Sequence, residues 1–205
     1  MLKLLKPLAG IVVVSVFVGP AQADVPSFSY TSLGFALGQT RLDDSFFVAG
    51  EEYKDFGFAS IRGAFQAADN LYIGASVSAE ANDGRDTEVT VTGSELFVGF
   101  PIAVAEHVDL VPEVGFARAE IEVCLNNVCI KESDSGMTYG GSLRMWAVPD
   151  TFEVGFSFFD STLDDSESVV GLGAALWAAE RHRFGLSYSQ SSSASLTALS
   201  YAYHW

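Results

Sequence analysis

Positive charge is scarce: 11 lysines and arginines stand against 26 aspartates and glutamates in a chain of 205 residues. Phosphate binding needs a basic face, so a nucleic-acid partner is excluded. Only three histidines and two cysteines are present, too few and too scattered for a Cys/His zinc site. Past residue 20 no run approaches the ~18 unbroken apolar residues that mark a membrane helix. Helical periodicity is missing as well. If such a chain spans a membrane it must do so as a closed barrel, because lipid does not tolerate open sheet edges.

At the N-terminus, Lys3 and Lys6 precede an apolar stretch from Leu8 to Val18, and Ala21-Gln22-Ala23 forms an A-x-A site before Asp24. This pattern predicts a secretory signal peptide over 1–23 and one domain over 24–205. No cysteine follows the cleavage point, which argues against a lipoprotein. Removal of the two lysines leaves 9 basic and 26 acidic residues, a net charge of −17.

The rest of the chain alternates. Leu33, Phe35 and Leu37 share one face against Gly34, Ala36 and Gly38. Ile73 and Val77 oppose Tyr72, Gly74, Ser76 and Glu80. Phe152, Val154, Phe156 and Phe158 oppose Glu153, Gly155 and Ser157, and the pattern returns at Val170–Leu176 and Phe184–Tyr188. Period two means strands. One face is bulky and apolar, whereas the other is small and too poor in charge to meet water. That contrast suits a narrow barrel with its bulky face toward lipid.

The fold expected is all-β, a single antiparallel up-and-down transmembrane barrel. Ten strands are read near 29–40, 54–66, 71–80, 88–100, 108–122, 136–147, 151–160, 168–177, 183–190 and 195–205, with eight as the alternative count. An even count puts both ends on the periplasmic side. Short turns then fall on that side, and mostly longer loops, over 41–53, 81–87, 123–135, 161–167 and 191–194, fall outside. Alternation breaks near Ala59–Ile61 and Gly93–Leu96, where bulges are expected. Tyr72, Trp146, Phe152, Trp177 and Trp205 at one rim, and Phe46, Phe47 and Tyr53 at the other, suggest interfacial girdles.

The last strand places Tyr201, Tyr203 and Trp205 on one face. This tail is similar to the C-terminal signal of bacterial outer-membrane barrels. Together with the signal peptide and the alternating strands, it makes the mature chain resemble a small outer-membrane barrel of the OmpA/OmpX-like or porin-family type. The resemblance implies residence in the outer membrane among lipid and lipopolysaccharide. It also implies delivery to the assembly machinery through Tyr201, Tyr203 and Trp205, and a monomeric state.

Some barrels of this kind are enzymes (proteases, lipid A deacylases and palmitoyl transferases) with a catalytic histidine at the outer rim. Here His107 and His182 fall in periplasmic turns and His204 near the C-terminus, so no general base is found at that rim. The carboxylate pairs Asp43-Asp44, Glu51-Glu52 and Asp164-Asp165 are there, but neighbouring acids on loops are ordinarily solvated. Asp83, Asp86 and Glu88, or Asp160, Asp164, Asp165 and Glu167, offer oxygen ligands without the spacing of a known cation loop. No catalytic, metal or cofactor residue is assigned, and no cofactor is expected.

Cys124 and Cys129 flank Leu-Asn-Asn-Val. In an exported chain an even cysteine count favours a disulfide, with a metal pair as the alternative. Closing so short a loop is worth ~2 kcal/mol or less. In the lumen, Arg144, Glu153 and Glu113 have inward parity on neighbouring strands, and buried charges must pair, which predicts an Arg144–carboxylate contact. The function expected is structural or interactive, in envelope integrity or surface-loop adhesion, without catalysis. A narrow cation-preferring channel, a rim enzyme acting on lipid A or peptides, and a soluble periplasmic β-protein are the competing readings.

Overall fold

A computed structural model describes residues 30–126, 128–164 and 166–205. The signal-peptide reading over 1–23, Asn127 and Asp165 lie outside the described residues. Eleven strands form one sheet: β1 (Ser32–Val48), β2 (Glu51–Ala68), β3 (Leu71–Asp83), β4 (Thr87–Gly99), β5 (Ile102–Ala105), β6 (Val108–Leu125), β7 (Val128–Val148), β8 (Phe152–Ser161), β9 (Val169–Ala178), β10 (His182–Gln190) and β11 (Ala194–His204). Each pairs antiparallel with its neighbour in sequence, except that β4 and β5 both lie along β6. β5 is therefore a continuation of β4 past Phe100-Pro101, where proline supplies no N–H to the ladder. The wall has ten strands, closed by β1 against β11 from Ser32↔His204 to Leu42↔Ala194. No edge runs the length of the barrel.

Alternation is carried by what each face meets. Leu33, Phe35, Ile61, Ile73, Leu96, Phe116, Leu172, Leu186 and Leu199 are exposed on the outside, while small or polar residues such as Ser32, Ala36, Ser142 and Ser187 are buried within. No helix among the described residues is long and apolar enough to cross a membrane; the strands do the crossing.

The strands are of unequal height. β1, β2, β6 and β7 run for 17, 18, 18 and 21 residues, whereas β8 to β11 have only 9 to 11. The extra length lies at the distal rim, opposite the termini. The segments 41–53 and 123–135, expected as loops, are mostly paired strand there. Ala49-Gly50 forms a two-residue hairpin turn with both φ positive, 50° and 91°, as a twisted hairpin requires.

The bulges differ from those expected. Pairing is unbroken from Gly57 to Gln66 and from Tyr72 to Asp83, so neither Ala59–Ile61 nor Gly93–Leu96 is a bulge. Register instead shifts between Arg41 and Phe46, between Gln66 and Ala68, and between Trp146 and Val148. At Gly93–Leu96 the hydropathy changes sides while the backbone does not. Leu96 points outward, but toward the distal end Val91 and Val89 of the same strand are buried inside. With Leu42, Phe46, Tyr53, Phe56, Ile121 and Ala194 they form an apolar core inside the distal mouth.

Candidate functional site: a filled lumen

Inward parity on ten strands brings into one narrow space residues that are far apart in sequence. Arg62 of β2 donates from Nη2 to Glu113 Oε2 of β6 at 2.7 Å, and its Nη1 lies 4.0 Å from Glu95 of β4. Its guanidinium carbon stands 3.6 Å from the centre of the Phe97 ring, a cation–π contact. Tyr72 donates its hydroxyl to Glu113 at 2.6 Å and Thr138 donates to Glu95 at 2.7 Å.

A second network centres on Glu153, whose residue is only 1% exposed. Arg144 donates from Nε at 2.6 Å, with Nη2 at 2.5 Å from the other oxygen. Arg183 approaches the same carboxylate from β10 at 3.1 and 3.3 Å, and Trp177 donates its indole N–H at 2.9 Å. The Trp177 ring packs 4.6 Å from His204 and 5.6 Å from Trp146. One carboxylate thus holds two guanidiniums and an indole at the termini-side end. A buried ion needs this many partners, because desolvation outweighs a single pair.

Of the three lumen charges singled out by parity, the structure brings Arg144 and Glu153 together. Glu113 lies instead with Arg62 and Tyr72. Arg62, Glu95 and Arg183 were missed, although each shares a face with small residues in its strand, the signal that marked Arg144. The girdle expectation fails for Tyr72, Trp146, Phe46 and Tyr53, which are buried in the lumen, and for Trp177, whose indole turns inward to Glu153. Tyr30 stacks on Tyr72 at 4.8 Å, and Phe46, Tyr53 and Phe56 stack in the distal mouth. Tyr201 does face outward, against Phe35 across the β1–β11 closure and Phe184 of β10 on its other side, and Tyr203 stacks on Trp205.

At the distal rim the acidic residues organise turns. The Glu51 carboxylate accepts from the Thr87 hydroxyl and from the backbone N–H groups of Arg85 and Asp86 at 2.9–3.1 Å. The Thr87 bond above all, helped by these amides, holds its pKa below the usual carboxylate value. Asp134 accepts from Asp164 N–H at 2.6 Å, Asp160 from Ser168 at 3.1 Å, and Glu167 from Ser193 at 2.8 Å. Lys131 bridges Glu122 at 2.9 Å and Glu120 at 3.2 Å, and those hydrogen bonds, Glu122 first, raise its pKa. Asp43 donates its N–H to Ser193 O at 2.8 Å, with Asp44 beside it at the β1 register shift. Cys124 and Cys129 are disulfide-bonded across the β6–β7 hairpin, which leaves neither thiol for a metal.

A closed antiparallel ten-stranded wall, apolar outside and polar within, defines an outer-membrane β-barrel protein resident in the bacterial outer membrane. The sequence matches no protein family and no curated protein. Solved structures share the architecture at low identity. Ail, the attachment invasion locus protein of Yersinia pestis, is 14% identical, with 86% of this chain and 97% of that one covered at a TM-score of 0.47. The KdgM porin is 8% identical over 85% and 99% at 0.49, and Neisserial surface protein A is 7% identical over 86% and 98% at 0.48.

Proposed function

We propose that this protein works through its surface, in envelope integrity or in contacts made by the distal rim, and neither conducts solute nor turns over a substrate. The observation that carries this reading is the filled lumen: an apolar core occupies the distal mouth, and the Arg62 and Glu153 networks occupy the space beneath it. The acidic rim favours cations, but a channel also needs a continuous wet path, and the Phe46–Tyr53–Phe56 stack lies across its entrance. No histidine stands at the distal rim: His107 lies in the turn between β5 and β6, and His182 and His204 are at the termini-side end. We further infer that the distal rim faces outward, that the chain is monomeric, and that Tyr201, Tyr203 and Trp205 present the closing strand to the assembly machinery. Their outward-facing aromatic row, with Trp205 exposed at its end, supports this last reading.

The test is conductance in planar bilayers, using protein whose folding is verified by a heat-dependent shift on SDS gels. No stepwise openings are expected. Cation-selective steps that vanish when Phe56 is held in place by an engineered cross-link to β4 would overturn the closed-lumen reading in favour of the narrow channel.

A further inference from the structure

The wall is closed through the membrane, but one strand outgrows its neighbour. β7 begins at Val128, whereas β8 pairs with it only from Thr138↔Ser161 onward. Just past that point Met137 donates its N–H to the Thr162 hydroxyl and accepts from Thr162 N–H, both at 2.9 Å. Backbone groups alternate sides along a strand. Cys129, Lys131, Ser133 and Ser135 therefore also turn theirs to the β8 side. The Ser135 N–H is taken by Asp134 at 2.7 Å. Among the described residues no strand lies beside Cys129, Lys131 or Ser133. The other side of this ribbon is covered, since β4 follows β6 up to Thr87↔Leu125.

The edge carries a readable pattern. On the side toward the mouth, Val128 and Ile130 are 71% and 66% exposed and continue the apolar surface begun by Ile121 and Val123. Glu132 and Asp134 follow on the same side. On the opposite side Lys131 is engaged by Glu120 and Glu122. The disulfide staples the tip and holds the strand extended. A free strand edge is a template for strand addition, and the side chains beside it select the guest. An anionic guest would meet Glu132, Asp134 and the chain's formal charge of −15.

We propose that the edge of β7 from Cys129 to Ser133 receives an extended polypeptide segment as an added antiparallel strand. On the mouth side that segment carries basic residues against Glu132 and Asp134, then apolar residues against Val128 and Ile130. The proposal rests on the reading that the distal rim is the working surface. It is tested by a route independent of conductance, so either can fail alone.

The probe is a labelled, end-blocked peptide, Lys-Thr-Lys-Thr-Val-Thr-Val, titrated onto the full protein folded in detergent micelles. Saturable binding is expected, with slowed amide exchange at Cys129, Lys131 and Ser133. Methylating the three threonine amides removes the interstrand donors without altering charge, and should weaken binding about ten-fold or more. Replacing the peptide's lysines with glutamate should do the same. Lys131→Ala removes only the ion pairs to Glu120 and Glu122 and should keep the peptide, whereas the variant Lys131→Pro also deletes an N–H on the free edge. The proline variant should keep the heat-dependent gel shift and lose the peptide. Equal binding of the methylated peptide, unchanged exchange at the three amides, or no saturable binding would overturn the proposal. So would retention of the peptide by folded Lys131→Pro. Equal capture of peptide-free phosphatidylcholine vesicles by the tip would overturn it in favour of insertion into an apposed bilayer.

Discussion

Around Leu96 and Phe116 the wall turns apolar side chains outward and encloses Arg62, Glu95 and Glu113, whereas toward the distal rim the same strands turn Val89, Val91 and Ile121 inward and Thr92 and Glu120 outward. Backbone pairing runs through both regions without a break. The medium outside the wall is what differs. Lipid rewards an apolar exterior and leaves the lumen to satisfy its own polar groups. Water rewards the reverse and lets the interior become an ordinary core. We place the distal edge of the bilayer at this crossover, carried here by β4 and β6, and β8 to β11 end close to it.

The sharpest way to break the inner region is to remove the carboxylate its charges share. Glu153→Ala would strand Arg144 and Arg183 in a dry lumen. Breaking a buried pair from one side costs ~3–5 kcal/mol, so the urea midpoint in detergent should fall by that equivalent or the gel-shifted form should be lost. The triple change Arg144→Met, Glu153→Met and Arg183→Met, which leaves no guanidinium of this network stranded, should cost clearly less. If the single and triple variants lose equal stability, the network is not what holds this end together.

The boundary is tested by placing one charge on either side of it. Leu96→Arg puts a guanidinium on the lipid face, where the cost climbs from ~0–1 kcal/mol at the interface to ~2–4 kcal/mol at the midplane, and it should clearly exceed that of the next variant. Thr92→Arg, four residues along the same strand and facing the same way, should fall within ~0.5 kcal/mol of the parent, as a surface change does. Refolding into lipid vesicles with urea titration measures both. Similar losses would mean that Thr92 also sits in lipid and that the boundary is misplaced.

This boundary also separates what the sequence revealed from what it hid. Strand positions were legible within the membrane because lipid enforces a strict period, as at Leu33–Leu37 and Phe184–Tyr188. The apparent phase slips at Ala59–Ile61 and Gly93–Leu96 were crossings from lipid to water, since periodicity reports alternation and not which solvent lies outside. Distal segments such as 123–135 looked like loops because charge falls there on both faces, Lys131 outside and Glu132 and Asp134 toward the mouth, and hides the period-two pattern. In the lumen, parity was enough to mark Arg144 and Glu153 as inward charges. It could not pair Arg62 with Glu113, because β2 and β6 meet only across the barrel interior. Tyr72 and Trp146 were assigned to a girdle because nearness to a turn says nothing about facing.

A smaller effect probes packing in the inner region. A Cβ at Gly99 would fall 2.1 Å from the Tyr72 ring, which is buried with its hydroxyl on Glu113. Gly99→Ala must push that ring aside, and overpacking of this kind costs ~1–3 kcal/mol. The companion Gly99→Ala with Tyr72→Phe removes the anchored hydroxyl and should recover part of the loss. No recovery would mean that the strain lies in the backbone and not in the ring.

The smallest effect belongs to the distal region and separates it from the lumen by pH. Hydrogen bonds from Thr87, Asp86 and Arg85 favour the ionised form of Glu51, so its folded pKa lies below the unfolded value of about 4.3. The sign follows: these bonds contribute fully above that unfolded value and are lost as pH falls through the depressed folded one. Below about pH 4, the Arg85 and Asp86 amides should lose exchange protection beyond their intrinsic chemistry, while the gel shift persists because the lumen networks lie elsewhere. Glu51→Gln should show the same loss at neutral pH and no further acid step. Unchanged protection in that variant would mean that the β3–β4 turn holds itself, and that the acidic rim contributes charge but not structure.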